Sequence, residues 1–586
     1  MTVKVKNTGS AAAKHSVQLY VSVPYTDYDR ETGLEKSAIQ LIGYAKTGEA
    51  KENSFADYVL LQPGESEDVT ITFNAQDIYS YDAGYVHDGY QGAYVLEAGD
   101  YYFATGNGAH EAVHAVLNEQ RSDTSAVLAT TGACRTETVS DTLYLTEANG
   151  VTIQNRMADA ELDTWNTGTK ITYLSRNDWA GTFPVSVDSL TATSEMIPYL
   201  RNATYDAAAE LAHYDGPTVF TYGADNGIKA VDLIGLSYDD PKYELALQEM
   251  TLQDLANQYI SYLEEMKSLA MPKESPADSP LGLIAKIGQR TAGTIFEVAT
   301  DDPAFGHMVN VYPGGPVIAA TFSPLLQSEE GRLIANDALW AGYNDWYGPG
   351  MNLHRTPYNL RNICYYSEDP VLTGMAGTYV HTAAYRLGLV TATKHFAFND
   401  QETNRDGIAV FFREQAAREN ELRGFQIAIR NDAIKGIMSA FNRVGCTHIA
   451  AHRGVMNGIL RGEWGWNGYL MTDSVKSASY FLPRECIMAG NDLMLGGSNN
   501  GSVWNWSAET LQGDPVLQNA VRESYHRKLF MFANSSLLNG MTSDSGSSGA
   551  VVWWVLALRI IMGLSFVGFA VFTALSLVSY KKERRQ

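Results

Sequence analysis

At 586 residues the chain can bury several cores, and at about 100–200 residues per domain three or four units are expected. Its net charge of -23 repels nucleic acid, and no stretch interleaves basic and aromatic residues into a phosphate-binding face, which excludes nucleic acid as a partner. The cysteines Cys134, Cys364, Cys446 and Cys486 form no C-x-x-C pair, so they read as buried thiols rather than a zinc knuckle or a disulfide scaffold.

Met1 to Lys6 alternates polar and apolar residues as a strand does and contains no apolar export segment. From there to residue 117 short alternating strands are separated by turn residues. Examples are Val17-Leu19-Val21, Val69-Ile71-Phe73 after Pro63-Gly64, and Tyr101-Phe103 after Gly99-Asp100; the pattern predicts an antiparallel β-sandwich over 1–117. Residues 118–240 are polar and irregular, with isolated apolar runs such as Ile171 to Leu174, and read as a connector with some strands. Over 241–534 the rhythm becomes strand, polar turn, amphipathic helix. Leu389-Val390-Thr391-Ala392, Ile437-Met438-Ser439-Ala440, Tyr469-Leu470-Met471 and Asp492-Leu493-Met494 are the strands. Alternation of buried strands with helices implies a parallel sheet, and the length fits a (β/α)8 TIM-type barrel.

Residues 535–549, rich in Ser, Gly and Asn, read as a flexible stalk. Within 550–580 the stretch Ile560 to Val578 carries no charge and is long enough to span a bilayer as one transmembrane helix. Trp553 and Trp554 precede it, and Lys581, Lys582, Arg584 and Arg585 of the 581–586 tail follow. Interfacial aromatics and cytoplasmic cations put the tail inside and the acidic bulk of the chain outside; Arg559 sits close enough to the outer end to snorkel. A buried helix of a soluble domain is the alternative. An exported body without an export segment implies that the natural beginning lies upstream of Met1.

In a parallel barrel the strand C-termini form the active-site face. Asp473 ends the strand Tyr469-Leu470-Met471 and is either a nucleophilic carboxylate or a helix cap. Lys394-His395 ends another apolar run and is either a cation–imidazole pair at the site or a surface turn. Asp278 lies in Asp278-Ser279-Pro280, ordinarily a turn. Arg361 either clamps paired hydroxyls or pairs with Glu368 or Asp369.

Three segments, taken in order, resemble glycoside hydrolase family 3, the β-glucosidase family. Arg361-Asn362 with Ser367-Glu368-Asp369-Pro370 is similar to its GRNxExxSEDP segment. Lys394 to Arg405 is similar to KHFxxNxQExxR, and Arg461-Gly462-Glu463-Trp464-Gly465 through Met471-Thr472-Asp473 to LRxEWGFxGxxxTD. Val5-Lys6-Asn7-Thr8-Gly9 and Leu61 to Ser66 likewise resemble that family's fibronectin-III-like domain. The resemblance implies a retaining glycosidase with Asp473 as nucleophile, and Asp278, Arg361, Lys394 and His395 binding the hydroxyls of a non-reducing β-D-glucosyl or β-xylosyl residue. The substrate class is a β-glucoside or oligosaccharide, and no cofactor is indicated.

The chain departs from the family in several places. The fibronectin-III-like region precedes the barrel, as in the subset with reversed domain order. The α/β sandwich domain that supplies the acid/base Glu is not visible, so no acid/base residue is named. Phe441 stands where a Tyr is frequent, Ser474 where a Trp often follows the nucleophile, and Cys364 in place of a Glu. No His lies between Asn399 and Arg418, which argues against the β-N-acetylhexosaminidase branch.

Two other function classes remain. His110-Glu111-Ala112-Val113-His114 matches H-E-x-x-H, a zinc-peptidase pattern that requires a helix and a third ligand. Because the segment follows the Tyr101-Phe103 strand through a Gly-rich turn, no helix is expected there. The other class is a non-catalytic, membrane-tethered sugar-binding protein.

Overall fold

The computed structural model describes residues 1–49, 59–121, 127–165, 168, 171–183, 191–200, 205–257, 263–283, 312–474, 480–495, 507–544 and 553–584. Residues 545–549 of the expected stalk, 550–552 at the head of the expected membrane segment, and Arg585 and Gln586 of the tail lie outside them.

Antiparallel strands come first: β1 (Thr2–Lys6), β2 (Ser16–Ser22), β3 (Gln40–Lys46), β4 (Ser66–Thr70), β5 (Ser80–His87), β6 (Tyr90–Leu96), β7 (Gly99–Gly106), β8 (Cys134–Val139) and β9 (Leu143–Leu145). They form sheets in the orders β3-β2-β7-β8, β5-β6-β9 and β1-β4. Alternate residues Val17, Leu19 and Val21 of β2 point inward onto Ile42, Val69, Ile71 and Tyr101, as the period of two requires. The β5–β6 turn is Asp88-Gly89, both at positive φ (46° and 86°), the tight turn that matches strand twist.

The antiparallel set runs on past residue 117 to Leu145, because β8 and β9 are edge strands added to β7 and β6. Between β7 and β8 a helix, Ala109–Gln120, turns Ala112, Ala115 and Val116 inward. The expectation that His110–His114 is not helical is therefore wrong: Gly106-Asn107-Gly108 is the entry to a helix rather than the end of the region. A short hairpin, β10 (Glu147–Ala148) and β11 (Val151–Thr152), follows.

The second half holds β12 (Pro276–Asp278), β13 (Asp345–Tyr347), β14 (Val390–Phe396), β15 (Ala409–Val410), β16 (Gly436–Ser439), β17 (Arg443–Val444), β18 (Thr447–His448) and β19 (Tyr469–Met471). Five of them build one sheet in the order β12-β13-β14-β16-β19, and every neighbouring pair is parallel. Met471 continues the series through a parallel bridge to Leu493. Every residue of β14, β16 and β19 is buried, as in strands covered on both faces.

Helices Pro324–Ala341 and Pro370–Tyr385 cover this sheet. Each starts on a capping side chain followed by proline at its first position. Ser323 accepts from the Leu326 N–H, and Asp369 accepts from the Val371 and Leu372 N–H groups at 2.8 Å. Asp369 is thus a helix cap and not the partner of Arg361.

The Arg461-to-Asp473 segment is held by its own motif residues. Arg461 donates to the Trp466, Gly468 and Gly490 carbonyls and to Asp492, whose carboxylate also receives the Leu470 N–H. A Cβ at Gly468 would run into the Trp466 indole and the Lys435 carbonyl, so this close approach requires glycine.

Polar ties join the two halves. Buried Arg418 donates to Glu463 (2.6 Å), Glu414 (2.9 Å) and the Gln154 carbonyl (2.9 Å), while Glu414 accepts the N–H groups of Arg156 and Met157. Asp77 receives Arg423 and Arg430, and Tyr44 and Lys46 reach Gln327 and the Thr321 carbonyl. At the C-terminus one helix, Trp553–Glu583, contains the stretch Leu556–Lys582, whose most apolar 18 residues have a mean hydropathy of 2.2 and are not buried; it is long and apolar enough to cross a bilayer.

Candidate active site

Parallel register aligns the strand C-termini: Asp278 pairs with Tyr347, Lys394 with Met438, and Met438 with Met471. Asp278, Lys394-His395 and, two residues beyond β19, Asp473 therefore meet on one edge of the sheet. Consecutive strand residues normally face opposite ways, but the ladder shifts between Lys394 and Phe396, and such an irregularity lets adjacent side chains serve one site.

Lys394 Nζ lies 2.6 Å from Asp278 Oδ1, and His395 Nε2 lies 3.5 Å from Asp473 Oδ2. Lys394 and His395 are each 3% exposed, while Asp278 reaches toward solvent. The Asp473 N–H donates to the Ser439 carbonyl, and the Ser474 N–H donates to Asp473 Oδ1 at 2.6 Å.

Arg361 arrives on the short turn Leu360–Ile363 in the connection after β13. Its partner is neither Glu368 nor Asp369 but Glu402, at 3.2 Å, in the loop after β14. Glu402 also receives Arg405 (3.0 Å) and Asn399 (3.1 Å). Cys364, in the place of the expected Glu, is buried beside Arg361, so the loop after β14 carries the support of this arginine. Phe441 lies under the Arg405 guanidinium at 4.5 Å.

A buried relay sets the histidine. Asn399 Nδ2 donates to the Tyr365 hydroxyl at 2.8 Å and lies 3.4 Å from His395 Nδ1, which is itself 3.0 Å from that hydroxyl; facing a group that can only donate, Nδ1 is the acceptor and the Tyr365 O–H points to it. An acceptor Nδ1 assigns the remaining proton to Nε2, the atom that faces Asp473. Burial, followed by the Lys394, Arg361 and Arg405 charges, holds His395 well below the usual histidine range, so the ring is neutral. Burial raises Asp473 above its ordinary 3.8, against the opposing Ser474 N–H and the Lys394 and Arg405 charges. At Glu402 burial acts upward, but Asn399, Arg361 and Arg405 outweigh it and hold the carboxyl below its usual value.

All five sequence-predicted residues thus lie together. Tyr365, Asn399, Glu402 and Arg405 were missed as site residues, although the last three lie within the Lys394–Arg405 segment. The combination is an enclosed carboxylate able to attack carbon, ringed by charged donors and an acceptor suited to a neutral polyol. Two cavities, of about 400 and 810 Å³, lie instead between the antiparallel strands and the 411–430 segment, away from Asp473.

His110 and His114 stand apart from this site on the helix Ala109–Gln120. Among the described residues no group of three or more His, Cys, Asp or Glu is placed to hold a metal ion. Glu111 is held by Asn107 and Thr131.

Residues 302–527, which include Arg361, Lys394, His395 and Asp473, match the Glycosyl hydrolase family 3 N terminal domain, and the chain as a whole is similar to β-glucosidases. A Beta-glucosidase of Ruminococcus albus is 27% identical over 482 residues, covering 81% of this chain and 43% of its own length. Beta-glucosidase A of Butyrivibrio fibrisolvens is 27% identical over 497 residues, covering 84% and 53%. The chain spans about half the length of these curated relatives. The structure of a β-glucosidase from Paenibacillus barengoltzii has the same fold, with a TM-score of 0.66 at 23% identity over 92% of this chain and 53% of that one.

Proposed function

We propose that the chain is the nucleophile-bearing part of a retaining glycosidase that releases non-reducing terminal β-D-glucosyl, or β-xylosyl, residues. The observation that carries this reading is the Asp473 carboxylate at a strand C-terminus, 3.5 Å from the Nε2 of a neutral His395 and beside the Lys394–Asp278 pair. Asp473 attacks the anomeric carbon as the glycosidic C–O bond breaks, and water then releases the sugar from the ester with net retention. Lys394, the His395 Nε2–H and Arg361 donate to sugar hydroxyls, and Asp278 accepts from them; such contacts tighten as the oxocarbenium-like state forms. By the resemblance the proton donor is a Glu of an α/β sandwich domain, which is not recognisable in this sequence.

In this reading 1–117 is a fibronectin-III-like domain, to which β8 and β9 add edge strands; 118–240 is otherwise a connector, and 241–534 a TIM-type barrel. The expected stalk starts later than residue 535, because Leu538 is buried and the Ser536 N–H donates to the Gly388 carbonyl at 2.7 Å; the stalk is the part after Met541, 550–580 is a membrane anchor, and the 581–586 tail is cytoplasmic with the bulk outside.

The test is covalent trapping with an activated 2-fluoro-β-glucoside, whose fluorine slows release of the ester. The expected result is one added sugar on the peptide bearing Asp473, absent in Asp473→Ala, with turnover of a dinitrophenyl glucoside that needs little acid assistance and little turnover of cellobiose. No adduct and no turnover of either substrate would leave only a sugar-binding protein.

A further inference from the structure

His110 and His114 belong to no part of the glycosidase site, yet their geometry is specific. They lie one turn apart on the helix Ala109–Gln120, so both rings leave the same face. The rings stand 4.5 Å apart and nearly perpendicular, with the two Nε2 atoms 3.1 Å from each other. Two imidazoles bound to one zinc-like ion at about 2.0–2.1 Å in a tetrahedral shell have their nitrogens about 3.3–3.4 Å apart, close to this spacing.

The tautomer is also set. His114 Nδ1 lies 2.8 Å from the Ala129 carbonyl oxygen, which can only accept, so Nδ1 carries the proton and Nε2 presents its lone pair. A carbonyl holding the far nitrogen of a ligating histidine is the usual outer-sphere support of a metal site. His110 is exposed and His114 half-buried, so an ion reaches both from solvent.

We propose that His110 and His114 form a two-histidine site for a divalent transition-metal ion of the zinc, nickel or copper type, with its remaining positions open to water or to an external donor. Imidazole nitrogen suits these ions and not calcium or magnesium. The site is not a peptidase centre. The Glu111 carboxylate, which would have to serve as general base, is bound by the Asn107 N–H and side-chain amide and by the Thr131 hydroxyl, and the described residues supply no third protein ligand.

The experiment is titration of the detergent-solubilised chain with Cu²⁺ and with Zn²⁺ in a non-chelating buffer, followed by calorimetry and, for copper, by electron paramagnetic resonance. One ion per chain with two nitrogen ligands is expected. His110→Gln and His114→Gln, each on its own, should weaken binding about tenfold or more, while far-ultraviolet circular dichroism stays that of the parent. Stoichiometric binding unchanged in both variants would assign the ion to other residues and overturn the proposal, as would the absence of one-to-one binding to the parent. Ca²⁺ competing as well as Zn²⁺ would also overturn it.

Discussion

At the scale of single residues, the site is organised by groups that would not themselves touch a substrate. Tyr365 does not extend into the ring of charged side chains; its hydroxyl decides which nitrogen of His395 is protonated. Tyr365→Phe removes that donor and leaves a buried acceptor unmet, a loss of about 1–3 kcal/mol, so kcat/KM on an aryl glucoside should fall about tenfold or more. Nitrogen-15 spectra of labelled histidine should show His395 leaving the Nε2–H tautomer, a change that mere loosening of the fold would not produce. Asp473, raised by burial, should protonate above the ordinary aspartate range. The acidic limb of kcat/KM for the activated substrate should therefore lie above an exposed aspartate's, and measuring that limb checks it. Beneath the loop, half-buried Asp400 and buried Glu421 are both raised, chiefly by desolvation and, for Glu421, also by its contact with Asp400, against the opposing Arg355 charge. A carboxyl whose folded pKa exceeds its unfolded one stabilises the fold fully below the unfolded value and loses that contribution as pH rises through the folded one. The parent should lose stability between about pH 5 and about pH 8, and Glu421→Gln, which cannot ionise, should lose less of it; melting temperatures at the two pH values read the difference.

At the scale of elements, the segments that were easiest to read in the sequence are those that hold strand ends in place. Arg461, Glu463 and Gly468 support the turn before β19, and Asp369 starts a helix, so these residues mark where elements begin and end as much as where chemistry occurs. Asp473 and Lys394-His395 were legible because each closes an apolar run with polar side chains. The Arg361–Glu402 pair was not, since it depends on two loops brought together by the order of β13 and β14. The helix Ala109–Gln120 was also missed, because it buries only small residues and Val116 and so shows a weak apolar stripe. The extension of the antiparallel sheets to Leu145 escaped notice because β8 and β9 are edge strands with few buried positions. Within this layer Arg418 is the most consequential side chain, for it neutralises Glu414 and Glu463 in a fully enclosed setting. Arg418→Ala would leave buried Glu414 without a cation and Glu463 with Arg156 alone, and should destabilise the protein by about 3 kcal/mol. Denaturant titration of the parent and the variant measures that loss, and a change within about 0.5 kcal/mol would refute it.

At the scale of the whole molecule, the exposed apolar helix Trp553–Glu583 stands out against an acidic, otherwise hydrophilic chain. In a detergent phase-separation assay the full chain should enter the detergent phase, and a chain ending at residue 544 should stay in the aqueous phase with its activity on the aryl glucoside intact. The two halves meet through Arg418, Asp77, Tyr44 and Lys46, contacts spread over several faces rather than gathered along one line. Such a distribution leaves no axis about which one half could swing. In the proposed reading, the antiparallel half is a buttress: Asp77 and Glu414, held by Arg423, Arg430 and Arg418, tie the sandwich to the helices behind the strand that carries Lys394-His395, so a load on one half is passed to the other without a hinge.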